Sequence, residues 1–517
     1  MNKPPYFWVI LILAIAGISV VLYFNFTAED AFITYRYAEN LISIGSLVYN
    51  EGEPINALTS PLHAILSAAL FYVTGHTVLS NKIVALFLLV VSAIVVWHRF
   101  KDSRQLQPLA LGLMLMPPSV LLWTLGGLET PILLFLATVT VFLVDGATRF
   151  RPFLLFVVFL LASLAFLTRY DSVLFFIPIV VYASSKVRAF NHVVLAVVGA
   201  VILPLAWFVV SALYYGDLLP TSFYVKTPSA NVDAVIFNGI YVVSYLLFVG
   251  LIPAFILAFF VLRSKYRIFQ LLYWHLKRMW WLYLGIMLEL SYGLTMATHH
   301  MMFSFRFFVP YIPATVILVV DLIRFVSQTD AADLSSPGTA RLLAGFLLTT
   351  AFFQLYQNAY TYTHSVNGIA PIGEYRELGV RDYVEFIETL EQEAHDIERH
   401  WSAQELEPKR LPRIITYAAG ALPYTFRDSY VYEKLVSYRH CQQRFQQGLH
   451  ADYIHIVTPR HGEVEEQLPK PADSYSLVSS YDMLFDGSRQ WFLVYFNPQP
   501  EHHNLGPTID FACRSVL

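Results

Sequence analysis

Apolar runs of the length that crosses a bilayer, about 17 to 25 residues, recur along the first two thirds of the chain and stop near residue 360. The first is Tyr6 to Phe26. It is longer than the apolar region of a secretory signal, and cleavage near Ala28 would leave the acidic pair that follows on a bare N-terminus, so it reads as a retained helix. Further runs lie at Lys82 to Trp97, Leu106 to Trp123, Pro131 to Val144, Phe153 to Thr168, Ser172 to Ala183, Val193 to Tyr215, Phe237 to Leu262, Trp280 to Ala297, Phe308 to Ile323 and Leu342 to Leu355. The pattern predicts a polytopic α-helical membrane protein of about eleven transmembrane helices. Pro61 to Thr74 is apolar but short, and reads as a helix lying in or dipping into the outer interface.

From Gly373 the pattern changes. Glu374 to Arg399 is charged and helix-compatible, with Leu378, Val384, Ile387 and Leu390 on one side. Strand-like runs follow at Arg413 to Tyr417, Tyr453 to Val457 and Trp491 to Phe496, separated by turns such as Ala419-Gly420 and Asp486-Gly487. The predicted organisation is a transmembrane domain over 1–360, with a large first outer loop at 27–80, and a soluble extracytoplasmic α/β domain over 361–517, long enough to form its own core.

Charge assigns the sides. With the N-terminus inside, the cytoplasmic loops hold fifteen basic residues, among them Arg99, Lys186, Lys277, Arg278 and Arg324. The opposite side up to Arg341 holds five: Arg36, Lys82, Arg169, Lys226 and Arg306. This is the positive-inside bias. Counting Pro61 to Thr74 as a crossing would reverse it, and the odd number of spans places the C-terminal region outside with the first loop. Composition agrees with the class, at 56% hydrophobic and 14% charged residues over 517, against roughly a quarter charged in soluble domains. No basic tract points to nucleic acid, and no His/Cys spacing points to structural zinc. The two cysteines, Cys441 and Cys513, are as compatible with a disulfide as with two free thiols.

The candidate chemistry starts where the first run ends, at Glu29-Asp30-Ala31-Phe32-Ile33-Thr34-Tyr35-Arg36. Two adjacent carboxylates at a membrane surface offer a proton acceptor, and an arginine about two turns on offers an anion receptor. A solvated loop would carry acids too, but four lone cations stand against the charge bias on this side. Arg36, Arg169, Lys226 and Arg306 sit in the aromatic or proline-bearing stretches TYRYA, LTRYDS, LLPTSFYVKTP and FSFRFFVP. Singly each is a snorkelling interface anchor; together with the acidic pair they suit an anionic lipid headgroup.

Several stretches carry a resemblance: EDAFITYRYAENL and SLVYNEGEPINALTSPLH in the first outer loop, GGLETP from Gly126, LTRYD from Leu167, GDLLPTSFYVK from Gly216, RFFVPYIP from Arg306 and AAGALPY from Ala418. The chain resembles the GT-C superfamily of glycosyltransferases that use polyprenyl-phosphate sugars, most closely the actinobacterial terminal arabinofuranosyltransferases and their bacterial relatives. Such relatives open with paired aspartates where this chain has Glu29 and Asp30. The aspartate-glycine-leucine stretch that often follows the AAGALPY-like turn is not evident after Tyr424, which puts acceptor recognition by the soluble domain in question.

The resemblance implies an inverting transferase that moves a sugar, arabinofuranose, from a polyprenyl-phosphate donor to an extracytoplasmic glycan, lipid or protein acceptor at the bacterial inner membrane. Asp30 is then the base, with Glu29 beside it. Arg36, Lys226 and Arg306, with Arg169 next, hold the donor phosphate, where charge builds as the anomeric bond breaks. Tyr35, Thr59, Ser60, Glu129, Asp171, Tyr224, His299 and His300 are the candidate substrate-binding residues; Asp171 equally suits orienting Arg169 or capping a helix, and the two histidines equally suit facing water. The lipid-linked sugar is the co-substrate and no obligatory metal is expected, although Glu29 and Asp30 with His299 or His300 form a loose potential metal set. The alternatives are a GT-C transferase of mannose, aminoarabinose or another lipid-linked sugar, including a lipid-A modifier, and a transporter. A transporter would place its charges near the midplane in repeated halves; here they flank spans and no halves repeat.

Overall fold

The computed structural model describes residues 5–145, 147, 150–187, 190–225, 232–254, 268–296, 304–329, 337–363, 379–404, 410–433, 436, 451–458, 475–485 and 488–497. Two compact units divide the chain. The first comprises Met1–Phe26, Lys82–Ala206 and Pro228–Val380, and the second Thr27–Asn81, Trp207–Thr227 and Arg381–Leu517. The division therefore does not follow a single cut near residue 360, because the 27–81 and 207–227 stretches group with the C-terminal region.

Helices occupy nearly every apolar run: α1 (Pro5–Tyr23), α2 (Glu29–Ser43), α3 (Pro61–Thr74), α4 (Thr77–Arg99), α5 (Leu106–Leu115), α6 (Pro118–Leu125), α7 (Thr130–Asp145), α8 (Pro152–Thr168), α9 (Val173–Ser185), α10 (Phe190–Val210), α11 (Thr221–Val225), α12 (Val232–Phe248), α13 (Ile268–Met296), α14 (Ile312–Thr329) and α15 (Pro337–Thr363). Proline opens several of them, Pro61, Pro118 and Pro152 lying at or next to the first helical position, where a missing N–H costs nothing. Gly75 closes α3 at φ 70°, a conformation that disfavours any side chain. α3 keeps the expected bounds, and 14 residues reach only about 21 Å, short of a crossing of about 30 Å.

The run from Leu106 to Trp123 is not one straight span. It breaks between α5 and α6 with a bend of 54°, because Pro117 and Pro118 remove two donors and clash with the preceding turn. Among the described residues three helices, Tyr6–Tyr23, Thr77–Arg99 and Phe190–Tyr215, are individually long and apolar enough to cross a bilayer, or four with the bent pair. In Phe190–Tyr215 only 17% of the most apolar window is buried, which suits contact with lipid.

Close helix packing in the first unit is set by small residues. A Cβ at Gly285 of α13 would stand 2.8 Å from the Phe175 carbonyl of α9, so that crossing needs glycine. Lys82 of α4 is buried and donates to the Phe24 and Phe26 carbonyls at 2.6 and 2.9 Å, closing the C-terminal end of α1.

In the second unit, α16 (Val380–Ser402) covers a five-stranded sheet of β1 (Arg413–Ile415), β2 (Tyr430–Tyr432), β3 (Tyr453–Thr458), β4 (Ser476–Phe485) and β5 (Ser488–Phe496). The order is β2-β1-β3-β5-β4. β1 pairs in parallel with β2 and β3, and β5 antiparallel with β3 and β4. The helix starts at Val380 and buries Val380, Tyr383, Ile387, Leu390, Ala394 and Ile397, a longer stripe than the expected one, of which Val384 is half-buried and Leu378 lies outside the described residues. Ile415, Tyr432, Ile454, Ile456 and Leu493 form a core cluster in the unit. The sequence did not signal β2, which is three residues long, or β4, whose serines and aspartate dilute the alternation. The Asp486-Gly487 link lies outside the described residues, and Phe485 pairs with Ser488 across it.

Candidate functional site

In the second unit the acidic pair forms the first turn of α2, where carboxylates meet the positive end of the helix dipole. Glu29 is held at both ends. Its N–H donates to the Tyr383 hydroxyl at 2.8 Å, and its carboxylate accepts the Gly420 N–H. A Cβ on Gly420 would collide with the Glu29 carbonyl and lie 2.7 Å from its carboxyl carbon, so the glycine of the AAGALPY stretch is required by this contact. The adjoining Ala419 carbonyl accepts the Tyr49 hydroxyl at 2.5 Å. Asp30 is half-buried at the second helical position.

Arg36 occupies a different role from an exposed anion receptor. It is 2% exposed, and its guanidinium donates to the Tyr49 carbonyl at 2.9 Å, the Ser429 carbonyl at 2.6 Å and the Pro423 carbonyl. Burial lowers its pKa from the ordinary arginine value. Three main-chain carbonyls thus engage the fork that the sequence assigned to phosphate, and Arg36 acts as a strut between α2 and the 423–429 turn. Tyr35 is likewise fully buried, edge-on to Phe32 and His63.

Two stretches far apart in sequence are laced together here. The Asn56 carbonyl accepts the Thr221 N–H at 2.7 Å and its hydroxyl at 2.9 Å, and the Asn56 amide donates to Ser211 Oγ at 2.8 Å. The NALTSPLH stretch and Thr221 therefore share one surface. On it Thr59 is exposed and Ser60 buried. Tyr224 lies on α11; Lys226, His299 and His300 lie outside the described residues, as do Cys441 and Cys513.

Glu129, Arg169, Asp171 and Arg306 come together in the first unit. Arg169 and Asp171 form a two-pronged pair, Nε to Oδ1 at 3.1 Å and Nη2 to Oδ2 at 2.9 Å, the planar geometry that favours arginine over lysine. Glu129, just before the N-terminus of α7, lies 3.3 Å from Arg169 and 3.7 Å from Arg306. Arg306 also sits over the Trp123 ring at 5.3 Å and Arg169 over Phe307 at 5.3 Å, contacts that fix the guanidiniums without consuming their charge. The residues before Arg306, Ser304 and Phe305, have φ of 47° and 59°, an uncommon backbone for non-glycine residues that clusters at functional positions.

Sequence reasoning missed Glu289. It lies in α13, 1% exposed, with Asp171, Arg169 and Tyr311 as ionisable neighbours. The signal was present: it is the sole charged residue in the run from Trp280 to Ala297, and such a residue in an apolar span reads as functional by default. Among the described residues no group of three or more His, Cys, Asp or Glu is disposed to hold a metal ion.

No protein-family model matches the chain, and no curated protein matches it. Solved structures do. The fold is similar to that of ArnT from Cupriavidus metallidurans in the apo state, with a TM-score of 0.56 at 12% identity over 94% of this chain and 97% of that one. The fold is ArnT-like. The same protein bound to undecaprenyl phosphate gives a TM-score of 0.55 at 12% identity over 94% and 98%.

Proposed function

We propose that this chain is a multispan membrane glycosyltransferase of the GT-C class that moves a sugar, arabinofuranose, from a polyprenyl-phosphate donor to an extracytoplasmic acceptor. The observation that carries the reading is the likeness to ArnT over 94% of the chain, in a protein that has been solved with undecaprenyl phosphate bound. The bound lipid and the motif set point to the same donor chemistry. An eleven-span topology in the bacterial inner membrane, with the second unit extracytoplasmic, follows from the charge bias.

In this reading Arg169 and Arg306, with Lys226, meet the donor phosphate as negative charge develops on it, and stabilise the transition state more than the ground state. Arg36 contributes by holding α2 in place. Asp30 takes the proton of the acceptor hydroxyl as it attacks the anomeric carbon, and the polyprenyl phosphate leaves. Glu29, tethered by Gly420 and Tyr383, orients the pair. One base and one displacement give inversion, since retention requires a second carboxylate as nucleophile about 5 to 5.5 Å from the first in glycosidase geometry. Phosphate neutralisation by arginine and lysine makes a divalent ion dispensable. A second reading keeps the mechanism and changes the sugar to aminoarabinose or another lipid-linked sugar, with lipid A among the acceptors; the ArnT likeness suits it equally, because a fold does not fix the sugar.

The test is transfer of radiolabel from synthetic polyprenyl-phosphate arabinofuranose, beside hexose and aminoarabinose donors, by the purified full-length protein with cell-envelope glycans and lipids as acceptors. Asp30→Asn should retain donor binding and lose at least a hundredfold in transfer, since a general base supplies about a hundredfold to ten-thousandfold. Near wild-type transfer in both Asp30→Asn and Glu29→Gln, or no transfer from any lipid donor, refutes the reading.

A further inference from the structure

Glu393, His455 and Thr416 line up inside the second unit, and none has been given a role. Glu393 of α16 is 0% exposed, His455 of β3 2% and Thr416, directly after β1, 2%. Glu393 Oε2 lies 3.3 Å from His455 Nε2, and His455 Nδ1 lies 2.9 Å from Thr416 Oγ1. The order carboxylate, imidazole, hydroxyl is that of a nucleophilic triad, but a hydroxyl buried this deeply cannot meet a substrate. What Thr416 does touch is its own turn. It accepts the Ala418 N–H at 3.0 Å and approaches the Ala418 carbonyl at 3.4 Å, and the next two residues are Ala419 and Gly420, which hold Tyr49 and Glu29.

We propose that His455 and Thr416 are positioning residues, with Glu393 the ionisable neighbour of the imidazole: a buried hydrogen-bond relay from His455 Nδ1 through Thr416 Oγ1 that fixes the 416–420 turn and, through the Gly420 N–H, the carboxylate of Glu29. The inference rests on the glycosyltransferase reading only for its catalytic consequence; the positioning itself does not depend on it. α16 reaches Glu29 by two routes, since the same helix carries Tyr383, which accepts the Glu29 N–H.

The hydroxyl of Thr416 has one proton to give, and the relay decides where it goes. With the His455 proton on Nδ1, that N–H points at Thr416 Oγ1, and the threonine proton is left for the Ala418 carbonyl. With the proton on Nε2, Nδ1 takes the threonine proton, and the Ala418 carbonyl loses its partner. The other ionisable groups facing Glu393 are Asp396 on its own helix and Tyr481 of β4. These two bond each other at 2.7 Å, and Asp396 also pairs with Arg399. Facing His455 from β5 is the Phe492 ring, stacked at 6.1 Å between centroids.

The experiment reads Glu29 directly, by carbodiimide labelling of carboxylates in the full-length protein followed by peptide mass spectrometry. Thr416→Val and His455→Phe should each raise the labelling rate at Glu29 about fivefold or more, while Thr416→Ser leaves it at the wild-type value and the buried Glu53 of the same unit stays unlabelled. In the transfer assay Thr416→Val should lower kcat with the donor KM unchanged, and the loss should vanish in a Glu29→Gln background. Unchanged Glu29 labelling in both variants, or a parallel rise at Glu53 in both, overturns the proposal. Increased Glu29 labelling alone, in a protein that transfers no sugar, supports the relay and sinks the transferase reading instead.

Discussion

The two ends of α7 carry charge clusters of opposite design. At the Asp145 end, Arg99 pairs with both Asp145 and Asp321, at 2.9 Å to the latter. Arg278 lies 3.2 Å from Asp321, and His275 Nε2 lies 3.3 Å from the same carboxylate. α4, α7, α13 and α14 are tied there around a cavity of about 330 Å³. At the Glu129 end, about 24 Å away along a 16-residue helix, Arg306 reaches its carboxylate only at 3.7 Å and leans on an indole ring. The first cluster has its arginines closely matched by aspartates and reads as a clamp. In the second, Arg169 is matched by Asp171 and Glu129, while Arg306 lies 3.7 Å from Glu129 and over the Trp123 ring.

The sharpest test of the contrast is at the clamp. Arg99→Ala leaves Asp145 and Asp321 buried with less compensation and should destabilise the first unit by about 3 to 5 kcal/mol, seen as a lower melting temperature in detergent, with residual folded protein retaining normal donor KM. An unchanged melting temperature would make this cluster ornamental. Arg306→Ala should do the reverse. If Arg306 holds the donor phosphate as proposed, the substitution removes a charge-assisted contact worth about 1.5 to 3 kcal/mol, lowering transfer tenfold or more while the protein inserts and melts as wild type. Loss of folding without a specific loss of turnover would move Arg306 to the structural class.

A buried pair without arginines gives the smallest effect and a different sign of pH dependence. Burial pushes the Glu393 carboxyl well above its usual range and the His455 imidazole down to about 4. Between roughly pH 4.5 and 6.5 folded and unfolded pairs each bind one proton, on glutamate and histidine respectively, and stability is flat. Above about pH 6.5 the unfolded pair has lost its proton while the folded pair keeps one. Stability then falls with rising pH by at most about 1.4 kcal/mol per unit, until the raised Glu393 pKa is passed. Melting curves between pH 6.5 and 8.5 should slope more steeply in the wild type than in Glu393→Gln; equal slopes would mean that Glu393 is ionised in the fold.

Hydrophobic periodicity by itself determined the helical framework, because a chain that meets lipid must satisfy its backbone internally and its apolar runs are therefore helices with bounds near those expected. Ile387 and Leu390 of the α16 stripe were legible in its spacing, whereas the run from Leu106 to Trp123 read as one span and its break at Pro117 and Pro118 was found only in the structure. Glu29, Asp30, Glu129, Arg169 and Arg306 were legible as candidates because charge against the membrane bias is conspicuous in one dimension. What each charge faces was not. Arg36 and Lys82 look in sequence like outward cations, yet both serve main-chain carbonyls, and only tertiary structure supplies those acceptors. Gly420 matters because it meets Glu29, 391 residues away, and Thr416 matters because β3 brings His455 against it. Local pattern fixes which residues leave the average; long-range packing decides whether a charge is spent on the fold or kept for a ligand, since a hydrogen bond has two ends and the sequence lists only one of them at a time.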